Sequence, residues 1–196
     1  MSAFAHAEIP VWMTVDEFLA WEPGDGLVWQ LVDGVPRAMA PANRTHGTLQ
    51  AELARLIGNH LVDTGRPCVV VTEPGVVPHV NASRNFRIPE LAVSCTGYEA
   101  EETAVSDPVL IVEILSPSNQ SETWANVWAY TTIPSVQEIV VVRTVSIGAE
   151  LLRRGADGGW PREPEAVLEG ELVFESIGLR TSLVDLYWGT RLRLVD

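Results

Sequence analysis

The apolar positions of the chain fall into short runs broken by Gly, Pro, Asp and Asn, and their spacing alternates between helical and extended periods. Thr14-Val15-Asp16-Glu17-Phe18-Leu19-Ala20-Trp21 has a Glu three residues after its opening Thr, the capping-box pattern, and predicts a short helix stopped by Pro23-Gly24-Asp25-Gly26. Residues 27–32 and 35–40 flank Asp33-Gly34, the strongest hairpin signal in the chain. Residues 45–62 place Leu49, Leu53, Leu56, Ile57 and Leu61 on one face, with Gly65 beyond the end and Thr45 as a candidate cap, and predict the best helix. Strands follow near 68–72 and 76–80, around a turn at Glu73-Pro74-Gly75, and then over the apolar runs 87–95 and 108–115. Ser116-Pro117-Ser118-Asn119 breaks the chain, residues 122–130 predict a short helix, and 137–143 and 149–154 predict further strands before the turn at Asp157-Gly158-Gly159. The tail holds a strand near 171–175 and a short helix at 183–187. Residues 1–12 read as an extended lead-in. With no repeat or linker after it, 13–196 read as a single α/β domain with a mixed sheet.

Two carboxylates interrupt this pattern. Glu90 and Glu113 lie in the two apolar runs, joined by a polar stretch from Thr96 to Asp107 of hairpin length. A hairpin symmetric about Glu101-Glu102 pairs residues whose numbers sum to 203, and so sets Glu90 against Glu113. Like charges opposed on one sheet face oppose folding unless a cation or a shared proton relieves them. The pair therefore suggests a divalent metal. The alternative is an edge position with both carboxylates in water.

Charge and cysteine content narrow the class. The net charge is −13, and the 13 basic residues are all Arg, with no Lys, which argues against a broad basic surface for nucleic acid. A local patch is still possible on charge grounds, because Arg37, Arg44, Arg84 and Arg87 cluster in the first half and Arg87 is close to Glu90. Cys68 and Cys95 lie in apolar strand-like runs and are expected to be buried, reduced thiols. No signal-peptide pattern opens the chain, and its apolar stretches are too short to span a bilayer, so a soluble cytoplasmic protein is expected.

Trp29-Gln30-Leu31-Val32-Asp33-Gly34, His46 at a helix start, Pro89-Glu90 at a strand, Glu113-Ile114-Leu115-Ser116-Pro117-Ser118 and Ile133-Pro134-Ser135-Val136-Gln137-Glu138 follow in an order that resembles the Uma-type restriction endonucleases of the PD-(D/E)xK nuclease superfamily. The resemblance runs from about residue 13 to 190. It implies a restriction-endonuclease-like mixed β-sheet flanked by helices, a homodimer, DNA as partner, and phosphodiester hydrolysis dependent on Mg²⁺ or Mn²⁺. Glu90 and Glu113 match the metal-holding acids, hard oxygen donors suited to such ions. Such an ion lowers the pKa of a bound water and offsets charge on the scissile phosphate.

Three positions depart from the family pattern. Its acid before Leu-Ile-Asp-Gly is Gln30 here, its Asp after Pro is Glu90, and its Lys four residues before a Tyr falls on Asn126, counted back from Tyr130. With no Lys in the chain, only an Arg can supply the missing cation, and Arg holds its proton too firmly to act as a base. The candidate catalytic set is thus Glu90, Glu113, Gln30, His46 and Asn126. His46, with Gln50 four residues on, is either a phosphate or metal-water contact at a helix start or a histidine that steadies a loop. Trp124 and Trp128, spaced i, i+4, suit core or dimer packing better than base stacking. Ser116 and Ser118 lack a nucleophile elbow and turn the chain. The competing reading is a catalytically degenerate protein that binds a partner or nucleic acid without cutting.

Overall fold

The computed structural model describes residues 12–193, so all but Trp12 of the expected lead-in lies outside the described residues. Helix α1 (Val15–Leu19) starts at Thr14, whose side chain accepts from the Glu17 backbone while the Glu17 side chain takes the Thr14 amide, a closed capping box. Strands β1 (Trp29–Val32) and β2 (Val35–Ala38) form the Asp33-Gly34 hairpin, with both turn residues at positive φ, 49° and 84°. Helix α2 (Arg44–Asp63) is capped by Asn43 rather than Thr45, because the Asn43 side chain accepts from the His46 amide. His46 therefore sits inside the first turn.

The main sheet is built in the order β3 (Val69–Thr72), β4 (Leu91–Ser94), β5 (Pro108–Leu115), β6 (Glu138–Arg143), β7 (Ala149–Arg153) and β8 (Glu165–Val167). Neighbours run antiparallel except β5 and β6, which are parallel. A parallel step needs a crossover, and helix α3 (Gln120–Tyr130) supplies it. A second hairpin, β9 (Glu171–Phe174) with β10 (Leu179–Ser182), is followed by a 3₁₀ turn at Leu183–Tyr187, where a short helix was expected. Strands β8 and β10 are too short and polar for the apolar pattern to mark them.

Two corrections concern residues 68–95. No regular strand forms over 76–80; Val76 alone bridges to Arg87, with paired backbone bonds of 2.8 and 2.9 Å. Pro78 removes a ladder donor in that run and ends the pairing. Cys68 and Cys95, expected as buried thiols, are instead joined in a disulfide, and Cys95 is exposed. They occupy the rung after Val69↔Ser94, where an antiparallel register brings two side chains together.

The alternation of β5 decides which side each of its residues serves. Leu110, Val112 and Ile114 join Leu49, Leu53, Ile57 and Leu61 of α2, with Phe174 and Tyr187, in one buried core. Ile111 points the other way, with Ala92, Val141, Val127 and Tyr130 of the α3 side. A third core of Met13, Phe18, Leu31 and Phe86 attaches α1 and the first hairpin through the Leu31↔Phe86 bridge. No helix among the described residues is long and apolar enough to cross a membrane.

Candidate functional site

Glu113 shares the parity of Ile111 in β5, so its carboxylate points to the α3 face, where Tyr130 Oη donates to Glu113 Oε1 at 2.8 Å. The β4–β5 register runs Leu91↔Val112, Ala92↔Ile111 and Val93↔Leu110, each pair summing to 203 as the hairpin symmetry predicted. Glu90 immediately precedes this ladder, and one more step in the same register sets it against Glu113. A register shift follows at Ser94, away from the site.

Glu90 is held by the first turns of α2. His46 Nε2 lies 2.7 Å from Glu90 Oε1, and Gln50 Nε2 donates to Glu90 Oε2 at 3.0 Å and to Glu73 Oε1 at 3.3 Å. The i, i+4 spacing that places His46 and Gln50 on one helical face brings both to this carboxylate. Glu113, 5 % exposed, holds its proton well above the ordinary carboxylate range, chiefly because burial penalises the charge and next because Glu90 is nearby. The Tyr130 hydroxyl pulls the other way, and its own pKa rises through burial and the Glu113 charge.

A second chain of polar contacts runs beside the acids. Gln30 Nε2 donates to Glu122 Oε1 at 2.7 Å, and Asn126 Nδ2 approaches Gln30 Oε1 at 3.4 Å. Arg87 Nη1 donates to Asn126 Oδ1 at 2.6 Å, while Arg87 Nε and Nη2 donate to Asn85 Oδ1 at 3.2 and 2.9 Å. Asn85 in turn donates to Asp33 Oδ1 at 3.0 Å, which ties the network to the first hairpin turn. Arg87 and Glu122 are both close enough to act on the charge of Glu113, so the two chains form one polar cluster.

All five residues expected from the sequence, Glu90, Glu113, Gln30, His46 and Asn126, lie in this cluster. Sequence reasoning missed Arg87, Tyr130, Asn85 and Glu122 as members. Tyr130 was used only to count back to Asn126, although an i, i+4 pair shares a helix face. Arg87 had a usable signal, a lone cation in an apolar strand-like run three residues before Glu90. Asn85 and Glu122 had none, because their contacts join segments 52 and 92 residues apart.

Glu90 and Glu113 are hard oxygen donors, the kind that Mg²⁺ and Mn²⁺ prefer. The raised pKa of Glu113 comes first from burial and then from Glu90, while Tyr130 and Arg87 oppose it. Among the described residues no group of three or more His, Cys, Asp and Glu side chains is placed to hold a metal ion. Mg²⁺ is commonly held by one or two carboxylates, completed by water and substrate phosphate.

The chain is 27% identical over 183 residues to "Uncharacterized protein slr1290" of Synechocystis sp. (strain ATCC 27184 / PCC 6803 / Kazusa), covering 90% of this chain and 92% of that one. Its fold is similar to the crystal structure of "a putative nuclease belonging to DUF820" from Anabaena variabilis ATCC 29413, with a TM-score of 0.71 at 18% identity, covering 89% of this chain and 97% of that one. Residues 15–182, which hold every side chain of the polar cluster, match the Uma2 family, described as "Putative restriction endonuclease", and the chain belongs to that family.

Proposed function

We propose that the protein is a divalent-metal-dependent endonuclease that hydrolyses DNA phosphodiester bonds, with Glu90 and Glu113 as the metal-holding pair. The observation that carries this reading is the convergence of the two carboxylates at one end of the β4–β5 ladder, where Glu113 is buried and under the field of Glu90. Mg²⁺ or Mn²⁺ held there would lower the pKa of a bound water and offset charge developing on the scissile phosphate.

The chain's own residues prepare this arrangement. His46 and Gln50 fix the rotamer of Glu90, and Tyr130 fixes that of Glu113. Gln30 links Glu122 to Asn126, and Asn126 stands on α3 where the resemblance implies a lysine. Losing one positioned charge-stabilising group costs about 10²–10³-fold in rate, so slow cleavage is the expected behaviour.

The test is a calorimetric titration with Mn²⁺ and Mg²⁺, paired with nicking of supercoiled DNA. Binding that is lost in Glu113→Ala, together with metal-dependent nicking, supports the reading. Absence of metal binding by the native chain defeats it. A degenerate binding module is the second reading, favoured by the two α2 side chains that already engage Glu90 and by the −13 net charge. Metal binding without any nicking selects it.

A further inference from the structure

We propose that Arg87 is the phosphate-binding cation of this site, reaching from the strand side the position that Asn126 leaves uncharged on the helix. The inference rests on the nuclease reading above and adds a residue to it. Arg87 is 4 % exposed, yet its hydrogen bonds go to two neutral amides, Asn85 and Asn126, and none goes to a carboxylate among the described residues. Taking a guanidinium out of water is costly, and structural arginines usually recover that cost from a carboxylate in contact. Arg143 pairs with Glu150 and Arg153 with Glu138, while Arg154 gives its donors to backbone carbonyls. Arg87 meets neither a carboxylate nor a backbone carbonyl, only the two amide side chains.

A guanidinium carries five N–H donors. The Nε–H and one N–H on each terminal nitrogen are engaged, which leaves one N–H on Nη1 and one on Nη2 for a further acceptor. A planar fork with two spare donors matches phosphate oxygens. The acids around it set the location: the charge of Arg87 acts on Glu113, and Glu122 and Asp33 act on Arg87, so the cation borders the acid pair without neutralising either member. Asn126 Oδ1, at 2.6 Å, and Asn85 Oδ1 hold the guanidinium in a fixed orientation. Because Arg keeps its proton, its part is to bind and stabilise negative charge and not to accept a proton.

The proposal is tested by the salt dependence of binding to a short labelled DNA duplex in EDTA, followed by fluorescence anisotropy, with melting curves as a check on folding. Each phosphate contact adds about 0.9 to the slope of log K against log salt. Arg87→Gln is expected to weaken binding roughly tenfold and lower that slope by about 0.9. The double variant Arg87→Gln/Asn126→Lys, which moves the cation back to the helix, is expected to recover the slope. A purely structural arginine would not move the slope, so a folded Arg87→Gln protein with native slope and affinity overturns the inference and leaves the nuclease reading standing. If Arg87→Gln does not fold, the neutral Arg87→Met decides: a slope lower by about 0.9 supports the proposal, and a native slope defeats it. No duplex binding by the native chain defeats the nuclease reading and the inference together.

Discussion

Tyr130 Oη donates to Glu113 Oε1 at 2.8 Å, so the last turn of α3 caps the single carboxylate of β5. The bond ties a crossover helix to the strand it follows, and it lies on the opposite side of the sheet from α2. Tyr130 is itself fully buried, and its hydroxyl stabilises the ionised form of Glu113 against the effect of burial.

Glu113 makes metal-free stability depend on pH. Its folded pKa is raised above the ordinary 4.5, first by burial and then by Glu90. A carboxyl group that binds its proton more tightly when folded contributes stability that is fully present below the unfolded pKa and is lost as pH rises through the folded one. Glu113→Gln keeps the shape and removes that loss. In EDTA the melting temperatures of variant and native protein should be similar near about pH 4 and diverge in the variant's favour as pH rises. A difference that stays constant with pH contradicts the assignment.

The acid pair and its register were legible because both rest on local rules. Period-2 alternation set the face of Glu113, and hairpin symmetry set its partner, so a sum of 203 could be read before any coordinate. The capping box at Thr14 and the Asp33-Gly34 turn were legible for the same reason. The Arg87–Asn126 bond was not, since it joins residues 39 apart through the packing of α3 on the sheet. The cysteine pair failed for a related reason: sequence showed two apolar strands, and only the pairing of β3 with β4 puts Cys68 beside Cys95.

His46 should act through Glu90. With Nε2 at 2.7 Å from Oε1, it holds the carboxylate in one rotamer, and Gln50 holds the other oxygen. Removing an orienting partner of a metal ligand typically costs 10- to 100-fold in metal affinity, roughly, and removing the ligand costs more. His46→Ala is therefore expected to weaken Mn²⁺ binding within that range, and Glu90→Ala to abolish it, by calorimetric titration. Equal affinity in His46→Ala and native protein would separate His46 from the metal-holding pair.

The Cys68–Cys95 disulfide stabilises the edge of the sheet at the end of the β3–β4 ladder remote from Glu73 and Glu90. It closes a segment with a sequence separation of 27, and disulfides of this kind contribute about 2–4 kcal/mol, mainly by restricting the unfolded chain. Dithiothreitol, or Cys68→Ser with Cys95→Ser, should lower the melting temperature by several degrees while Mn²⁺ affinity stays native. A loss of affinity on reduction would show that the edge strand positions Glu90.

Gln30→Glu tests whether the missing acid was given up because no cation balances it in the metal-free protein. Gln30 Nε2 donates to Glu122 Oε1 at 2.7 Å, so the substitution replaces a donor with a second carboxylate facing Glu122. Glu122 already acts on Glu113, so the added charge enters a cluster where acids repel one another. Losing a hydrogen bond to a charged group costs about 1.5–3 kcal/mol, and the repulsion adds to it. In EDTA the variant should melt several degrees below the native protein. Mn²⁺ should then raise its melting temperature by more than it raises that of the native chain, because ion binding to the folded state is linked to stability and a third anionic oxygen tightens that binding. Equal Mn²⁺ shifts in the two proteins would place Gln30 outside the metal's reach and confine the site to Glu90 and Glu113.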